Sequence, residues 1–177
     1  MGRTSYAIAL GSNRPHGRHG GPRRVVEAAI EAIARLPLEI GATSTIRASP
    51  AMGGAGRSFA NAAILLCCEM DPAGLLDALK AIERGFGRRS GRRWGPRVLD
   101  LDILLWSEGT WTGGKALVPH YGLQSRHFVL QPLEEIAPSW RHPLLGLTIR
   151  QLRSRLRRAK PVDRAPRPPL RLHAEGP

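Results

Sequence analysis

Aromatic side chains are scarce in this sequence: three Phe, two Tyr and four Trp among 177 residues. A core built from it should be aliphatic, drawn mainly from Ala, Leu, Ile and Val. Cysteine is scarcer still, and its two copies, Cys67 and Cys68, are adjacent. Neighbours on a strand point to opposite faces, so two reduced thiols of a cytoplasmic protein are expected rather than a bridge. No run approaches the ~18 apolar residues of a membrane-spanning helix. The N-terminus lacks the apolar stretch of a secretory signal, and Tyr6 stands where a myristoylation motif needs Ser or Thr. A soluble cytoplasmic chain with no membrane partner is the expectation.

Acidic residues are also few, 14 against 27 basic ones, for a formal net charge of +13. Their distribution is uneven. From Arg150 onward there are nine basic and two acidic residues, so that segment carries +7 and residues 1–149 carry +6. A basic balance favours anionic partners without saying which. The length suits one compact domain over residues 1–160. Residues 161–177, PVDRAPRPPLRLHAEGP, read as a basic, proline-rich, extended tail.

What is present begins with a short strand, SYAIAL, that runs into the turn Gly11-Ser12-Asn13 and a loop, PHGRHGGP. From Pro22 to Leu36 the apolar Val26, Ile30, Ile33 and Leu36 recur at helical spacing, and Pro37 ends the run. Residues 40–47 predict a second strand, and FANAAILLCCEM a third, with Phe59, Asn61 and Ala63 on one face. Between them SPAMGGAGRS has the composition of a loop. Asp71-Pro72 is an N-cap followed by proline at the first helical position, and Leu75, Leu76, Leu79 and Ile82 line the helix that follows. An arginine-rich loop, a strand over 98–106, a connection containing TGGK, a turn with a short element in HYGLQSRHFVL, and a final amphipathic helix in LTIRQLRSRLRR complete the order. The first six elements match a β-α-β-β-α-β arrangement. The fold class expected is α+β: a ferredoxin-like antiparallel sheet with helices packed on one face and flexible catalytic loops on the other.

The strand over 98–106 carries the chemistry. Strict alternation puts Val98, Asp100, Asp102, Leu104 and Trp106 on one face and Leu99, Leu101, Ile103 and Leu105 on the other. The two carboxylates then lie roughly 6.6 Å apart beside apolar neighbours, where their mutual repulsion is costly. A divalent cation between them would remove that cost. Asp-x-Asp alone is short and common, and equally suits a solvated strand edge. Upstream, however, stand Arg84, Arg88, Arg89, Arg92, Arg93 and Arg97. Carboxylate oxygens suit Mg²⁺ and guanidinium groups suit phosphate oxygens, a combination fit for phosphoryl chemistry. Glycines at 85, 87, 91 and 95 suit a loop that moves.

At RWGPRVLDLDIL the sequence closely resembles the signature of the 6-hydroxymethyl-7,8-dihydropterin pyrophosphokinase family. ALGSN, SPAMG with FANAA, AIERGFGR, VPHY and RHFVLQPLEEIAP follow in the family's order and cover residues 6 to about 152. The resemblance implies Mg²⁺-dependent transfer of pyrophosphate from ATP to the pterin's hydroxymethyl oxygen, releasing AMP. It implies two Mg²⁺ ions held with ATP by the residues matching Asp100 and Asp102. Arg88 and Arg97 match arginines that contact phosphate and stabilise the transition state. On the ATP side the matches are Glu83, Arg93, Ile103, His120, Tyr121 and Arg126, with Lys115 in place of an arginine. On the pterin side they are Ser49, Pro50, Ala51, Met52, Phe59, Asn61, Trp94 and Phe128. The partners implied are ATP and the pterin, with a monomer and no specific nucleic acid.

Three departures from the family pattern stand out. Ser90 occupies a position where arginine is common, Ala51 replaces a second proline, and PHGRHGG lengthens the first loop. Other readings remain open on the residues alone. A basic nucleic-acid-binding module on the same fold would use the charge of +13, although it would need aromatic side chains on its exposed strands to stack bases. A metal-dependent nuclease or glycosyltransferase would use the Asp-x-Asp.

Overall fold

The computed structural model describes residues 2–49, 58–87 and 98–158. The chain runs β1 (Thr4–Ser12), α1 (Pro22–Ile33), β2 (Glu39–Thr43), β3 (Arg47–Ser49), β4 (Phe59–Cys68), α2 (Pro72–Gly85) and β5 (Asp100–Trp106). A hairpin of β6 (Trp111–Gly113) and β7 (Ala116–Val118) follows, then a 3₁₀ turn at Leu123–Ser125, α3 (His127–Ile136) and α4 (Ile149–Arg158). Both early helices begin as their sequence dictates, with proline in the first turn. The Asp71 carboxylate caps α2 by accepting from the Gly74 N–H at 2.7 Å. The main sheet has the order β2-β4-β1-β5, with β3 joining the same edge of β4. Every pairing is antiparallel. Two β-α-β units are thereby interleaved, the two strands of each separated by one strand of the other. The expected mixed class and antiparallel sheet are both present, and the strand order is consistent with the ferredoxin-like arrangement.

The two faces of the sheet are packed differently. On one, Tyr6, Ile8 and Leu10 of β1, Ile64 and Leu66 of β4, and Leu101 and Ile103 of β5 are buried against Val26 and Ile33 of α1 and Leu75 and Leu79 of α2. On the other, Ala7, Ala63 and Leu105 meet Leu130 and Leu133 of α3 and Ile149 and Leu152 of α4. So α1 and α2 take one face as expected, and α3 and α4 cover part of the second. The core is aliphatic apart from Tyr6, Phe86 and Trp106. Cys67 and Cys68 are free, and burial pushes the Cys68 thiol up from its ordinary value. Among the described residues no helix is long and apolar enough to cross a membrane.

Three sequence expectations are corrected. Alternation along β5 fails at Leu104, because Ala7 pairs with Leu105 while the next residue, Ile8, pairs with Ile103. The extra residue is a β-bulge, and beyond it the faces exchange. Leu105 thus joins the second face and Trp106 the first, where it stacks on Tyr6 with 6.2 Å between ring centroids. The strand expected over 40–47 is two, since Ser44 breaks it. The Ser44 hydroxyl accepts from the Ala63 N–H at 2.9 Å and its N–H donates to the Ala63 carbonyl, which bridges the gap to β4. Finally, α1 ends at Ile33 rather than Leu36.

Candidate active site

The register of the sheet sets the floor of the site. Asp100 pairs with Gly11, and Gly11 pairs with Asn61; one step along, Asp102 pairs with Ala9 and Ala9 with Ala63. Directly paired residues share a face, so all six lie on the side that α3 only partly covers. At ~4.8 Å per strand, Asp100 and Asn61 are held about 10 Å apart with only the backbone of Gly11 between them. The result is a trough with carboxylates along one wall and an amide on the other. A Cβ at Gly11 would make ordinary van der Waals contact with Asn61 Oδ1, at 3.6 Å. Asn61 is 6% exposed, and its amide nitrogen donates to Ser49 Oγ at 2.8 Å. Ser49 in turn pairs with Phe59 across β3 and β4. Phe128, in the first turn of α3, packs against the second-face core. The structure therefore gathers Ser49, Phe59 and Asn61 at one corner of the trough.

The opposite wall is the outer edge of the main sheet. An edge strand exposes backbone donors and acceptors, and here side chains from α2 take them up. The Leu101 N–H donates to Glu83 Oε1 at 2.7 Å, and Lys80 Nζ donates to the Leu101 carbonyl at 2.7 Å. Lys80 also donates to Glu83 Oε1 at 2.6 Å. Glu83 is fully buried. It holds β5 and Lys80 together. Ile103 stands apart from the aspartates, because its side chain is buried on the α1–α2 face.

Asp102 is bracketed. Lys80 Nζ lies 3.7 Å from Oδ1 and His120 Nε2 lies 3.9 Å from Oδ2, both beyond hydrogen-bond length. His120 follows the cis peptide Val118–Pro119 and is fixed to β5 by its N–H, which donates to the Leu104 carbonyl at 3.0 Å. Its Nδ1 accepts from the Gly122 N–H at 3.1 Å. In the neutral ring the proton therefore sits on Nε2 and faces the aspartate. Burial lowers the His120 pKa and outweighs the opposing pull of Asp102, so the ring is a neutral donor at pH 7. Tyr121, 67% exposed, lies 4.5 Å from the His120 ring, and the Arg126 guanidinium carbon is 5.6 Å from the Tyr121 ring centre. Lys115 is exposed at the tip of the β6–β7 hairpin. That hairpin leans on β5 through an edge-on contact of Trp111 with Trp106. A Cβ at Gly113 would fall 3.0 Å from the Trp111 indole nitrogen, which explains the glycine there.

The lengthened first loop also has a place. His16 and Gly20 exchange two backbone hydrogen bonds of 2.8 Å, and the His16 and His19 rings stack on each other and lie against Phe86, just past the C-terminus of α2. The sequence alone marks neither Lys80 nor Gly11 as a site residue. Lys80 precedes Glu83 by three positions, a spacing that puts both on one helix face, yet a helix lysine ordinarily reads as a solvated surface group. Pro50, Ala51, Met52, Arg88, Arg93, Trp94 and Arg97 lie outside the described residues.

The carboxylate wall is suited to a hard cation by the chemistry of its donors. Among the described residues no three or more of His, Cys, Asp and Glu gather into a metal cage. Mg²⁺ does not ask for one: it is commonly held by one or two carboxylates together with substrate phosphates.

Fold and site together define a small antiparallel α+β domain with a carboxylate-walled trough at the edge of its sheet. The family model for 7,8-dihydro-6-hydroxymethylpterin-pyrophosphokinase (HPPK) matches residues 7–138. The chain belongs to this family. A relative from Pseudomonas aeruginosa named 2-amino-4-hydroxy-6-hydroxymethyldihydropteridine pyrophosphokinase is 44% identical over 138 residues, covering 77% of this chain and 82% of the relative. One of the same name from Methylorubrum extorquens is 34% identical over 155 residues, covering 86% and 94%. Among solved structures, the HPPK-DHPS chain of Plasmodium falciparum matches with a TM-score of 0.64 at 13% identity, a likeness of fold. It covers 87% of this chain and 43% of that one, so this chain spans less than half the length of the solved protein.

Proposed function

We propose that the chain transfers the pyrophosphoryl group of ATP to the hydroxymethyl oxygen of 6-hydroxymethyl-7,8-dihydropterin, giving the pterin diphosphate and AMP, with two Mg²⁺ ions held alongside ATP by Asp100 and Asp102. Family membership supports the reaction class. The observation that carries the assignment of the site is the register Asp100–Gly11–Asn61. It sets the carboxylates of β5 and the amide of β4 on one face of the sheet, on strands either side of Gly11. Asn61 offers a group that both donates and accepts, as a pterin's ring edge requires. Its orientation is set in advance by Ser49.

In the reaction the hydroxymethyl oxygen attacks the β-phosphorus. The bond from that phosphorus to the α,β-bridging oxygen breaks, and the bridging oxygen leaves on AMP while the hydroxyl loses its proton. The protein's task is to align two substrates, neutralise a triphosphate and keep out water. The Mg²⁺ ions supply charge neutralisation and activation of the reacting oxygens when bound. His120 presents an Nε2–H donor from a fixed ring, which suits a phosphate oxygen. Arg126 and Tyr121 flank it, and Lys115 adds a positive charge from the hairpin tip. Arg88 and Arg97 carry the phosphate-contact role by resemblance to the family signature. A cytoplasmic monomer is part of the same proposal.

Asp100→Asn and Asp102→Asn test the site, because each removes one charge with little change of shape. If each aspartate contributes several kcal/mol of transition-state stabilisation through the metal, turnover should drop on the order of 10²- to 10³-fold. The thermal midpoint should move by only a few degrees. Wild-type turnover in both variants would remove the carboxylate pair from the active site.

A further inference from the structure

Lys80 is held more firmly than a surface lysine. Its ammonium donates to a fully buried carboxylate oxygen of Glu83 at 2.6 Å and to the Leu101 carbonyl at 2.7 Å. Its side chain is 28% exposed. Although α2 packs on the opposite face of the sheet, β5 is the edge strand, and Lys80 reaches around that edge to the aspartate side. Its charge comes to rest 3.7 Å from Asp102 Oδ1. An ordinary lysine could swing away when a cation arrives. This one would first have to abandon two short hydrogen bonds, one of them to a buried carboxylate.

We infer that Lys80 is a positioning residue, a fixed positive charge that weakens divalent-cation binding at Asp102 until nucleotide phosphates arrive, so that metal entry depends on nucleotide entry. The inference rests on the reading of Asp100 and Asp102 as the metal-holding pair. Electrostatics supplies the mechanism. In the protein alone, Lys80 relieves the repulsion between the two carboxylates and occupies part of the field a cation would use. A divalent ion approaching Asp102 meets the ammonium at short range, where solvent screens little. A triphosphate brings enough negative charge to reverse that balance, and Lys80 then remains in place as one more positive group beside the phosphates.

The test is a Mn²⁺ titration of the full chain, followed by loss of the free-ion electron paramagnetic resonance signal, with and without a non-hydrolysable ATP analogue. Lys80→Gln keeps amide donors for Glu83 and Leu101 but removes the charge. Lys80→Met removes the charge by a second route should the first variant fold poorly. Mn²⁺ alone should bind the neutral variant at least about tenfold more tightly than wild type, since removing a fixed unit charge at this range is worth more than one decade even in a well-screened site. The nucleotide-bound affinity should change much less. Equal or weaker nucleotide-free binding in the folded variant would overturn the inference. Asp102→Asn separates the two ideas. If it binds Mn²⁺ as well as wild type does, the reading of the carboxylates fails. If it loses the ion while Lys80→Gln matches wild type, only the role of Lys80 fails.

Discussion

At the scale of single residues, the trough depends on what is missing from Gly11. Its backbone lies outside the positive-φ region, so a larger residue meets no conformational penalty there. A β-branched side chain is at home on a strand. Gly11→Val should therefore fold with stability within about 1 kcal/mol of wild type. Its methyl groups would nevertheless stand between Asp100 and Asn61, on the strip proposed for the pterin. The expected outcome is a pterin KM raised roughly tenfold or more, the scale on which a pocket responds to one added methyl or methylene, with the KM for ATP near wild type. Steady-state kinetics in both substrates checks it. The aspartate pair could be read from sequence because alternation has a period of two and nothing interrupts it before Leu104. The exchanged faces of Leu105 and Trp106 could not, since a bulge leaves no compositional mark in a uniformly apolar run. Lys80 was hidden for another reason: its meaning comes from the edge of a strand about twenty positions away.

At the scale of elements, α3 holds the broken edge of the sheet. Glu135 accepts from the Thr45 N–H at 2.8 Å and the Thr45 hydroxyl at 2.7 Å, and Arg47 donates to its other oxygen at 2.9 Å. These bonds to Thr45 and Arg47 hold the Glu135 carboxyl below its ordinary value. A carboxylate with a lowered pKa adds stability that is present above the unfolded value near 4.5 and is lost as pH falls through the folded value. Glu135→Gln should cost about 1 kcal/mol at pH 7, modest because both partners of the ion pair are partly exposed. It should also flatten the fall in stability below about pH 5. Denaturant unfolding of both proteins between pH 4 and 7 checks the pair of outcomes. The elements legible in the sequence carried local punctuation: Pro22, Asp71-Pro72, and the alternation in β1 and β4. Those that were not legible lacked it or contradicted it. Pro132 stands inside α3 and argues against a helix that burial of Val129, Leu130 and Leu133 sustains. The β6–β7 hairpin has strands of three residues, too short for a periodic signal.

At the scale of the whole molecule, the sheet brings together residues from distant parts of the chain. Gly11, Asn61 and Asp100 meet only because two β-α-β units interleave, and β5 becomes an edge only because the chain then turns into a hairpin rather than a further strand. The class of fold was readable from the order of elements, whereas the cover that α3 and α4 provide on the second face was not. Their burial stripes are plain, but nothing in an amphipathic helix says which side of a sheet it will take. The surplus of positive charge suits a substrate with a triphosphate. The reaction itself is the most direct check. The full chain is incubated with ATP and Mg²⁺, with and without 6-hydroxymethyl-7,8-dihydropterin, and the nucleotide products are separated. AMP should form, with no ADP, in amount equal to the pterin consumed and only when the pterin is present; ADP as product, or AMP released at the same rate without the pterin, would contradict the assignment.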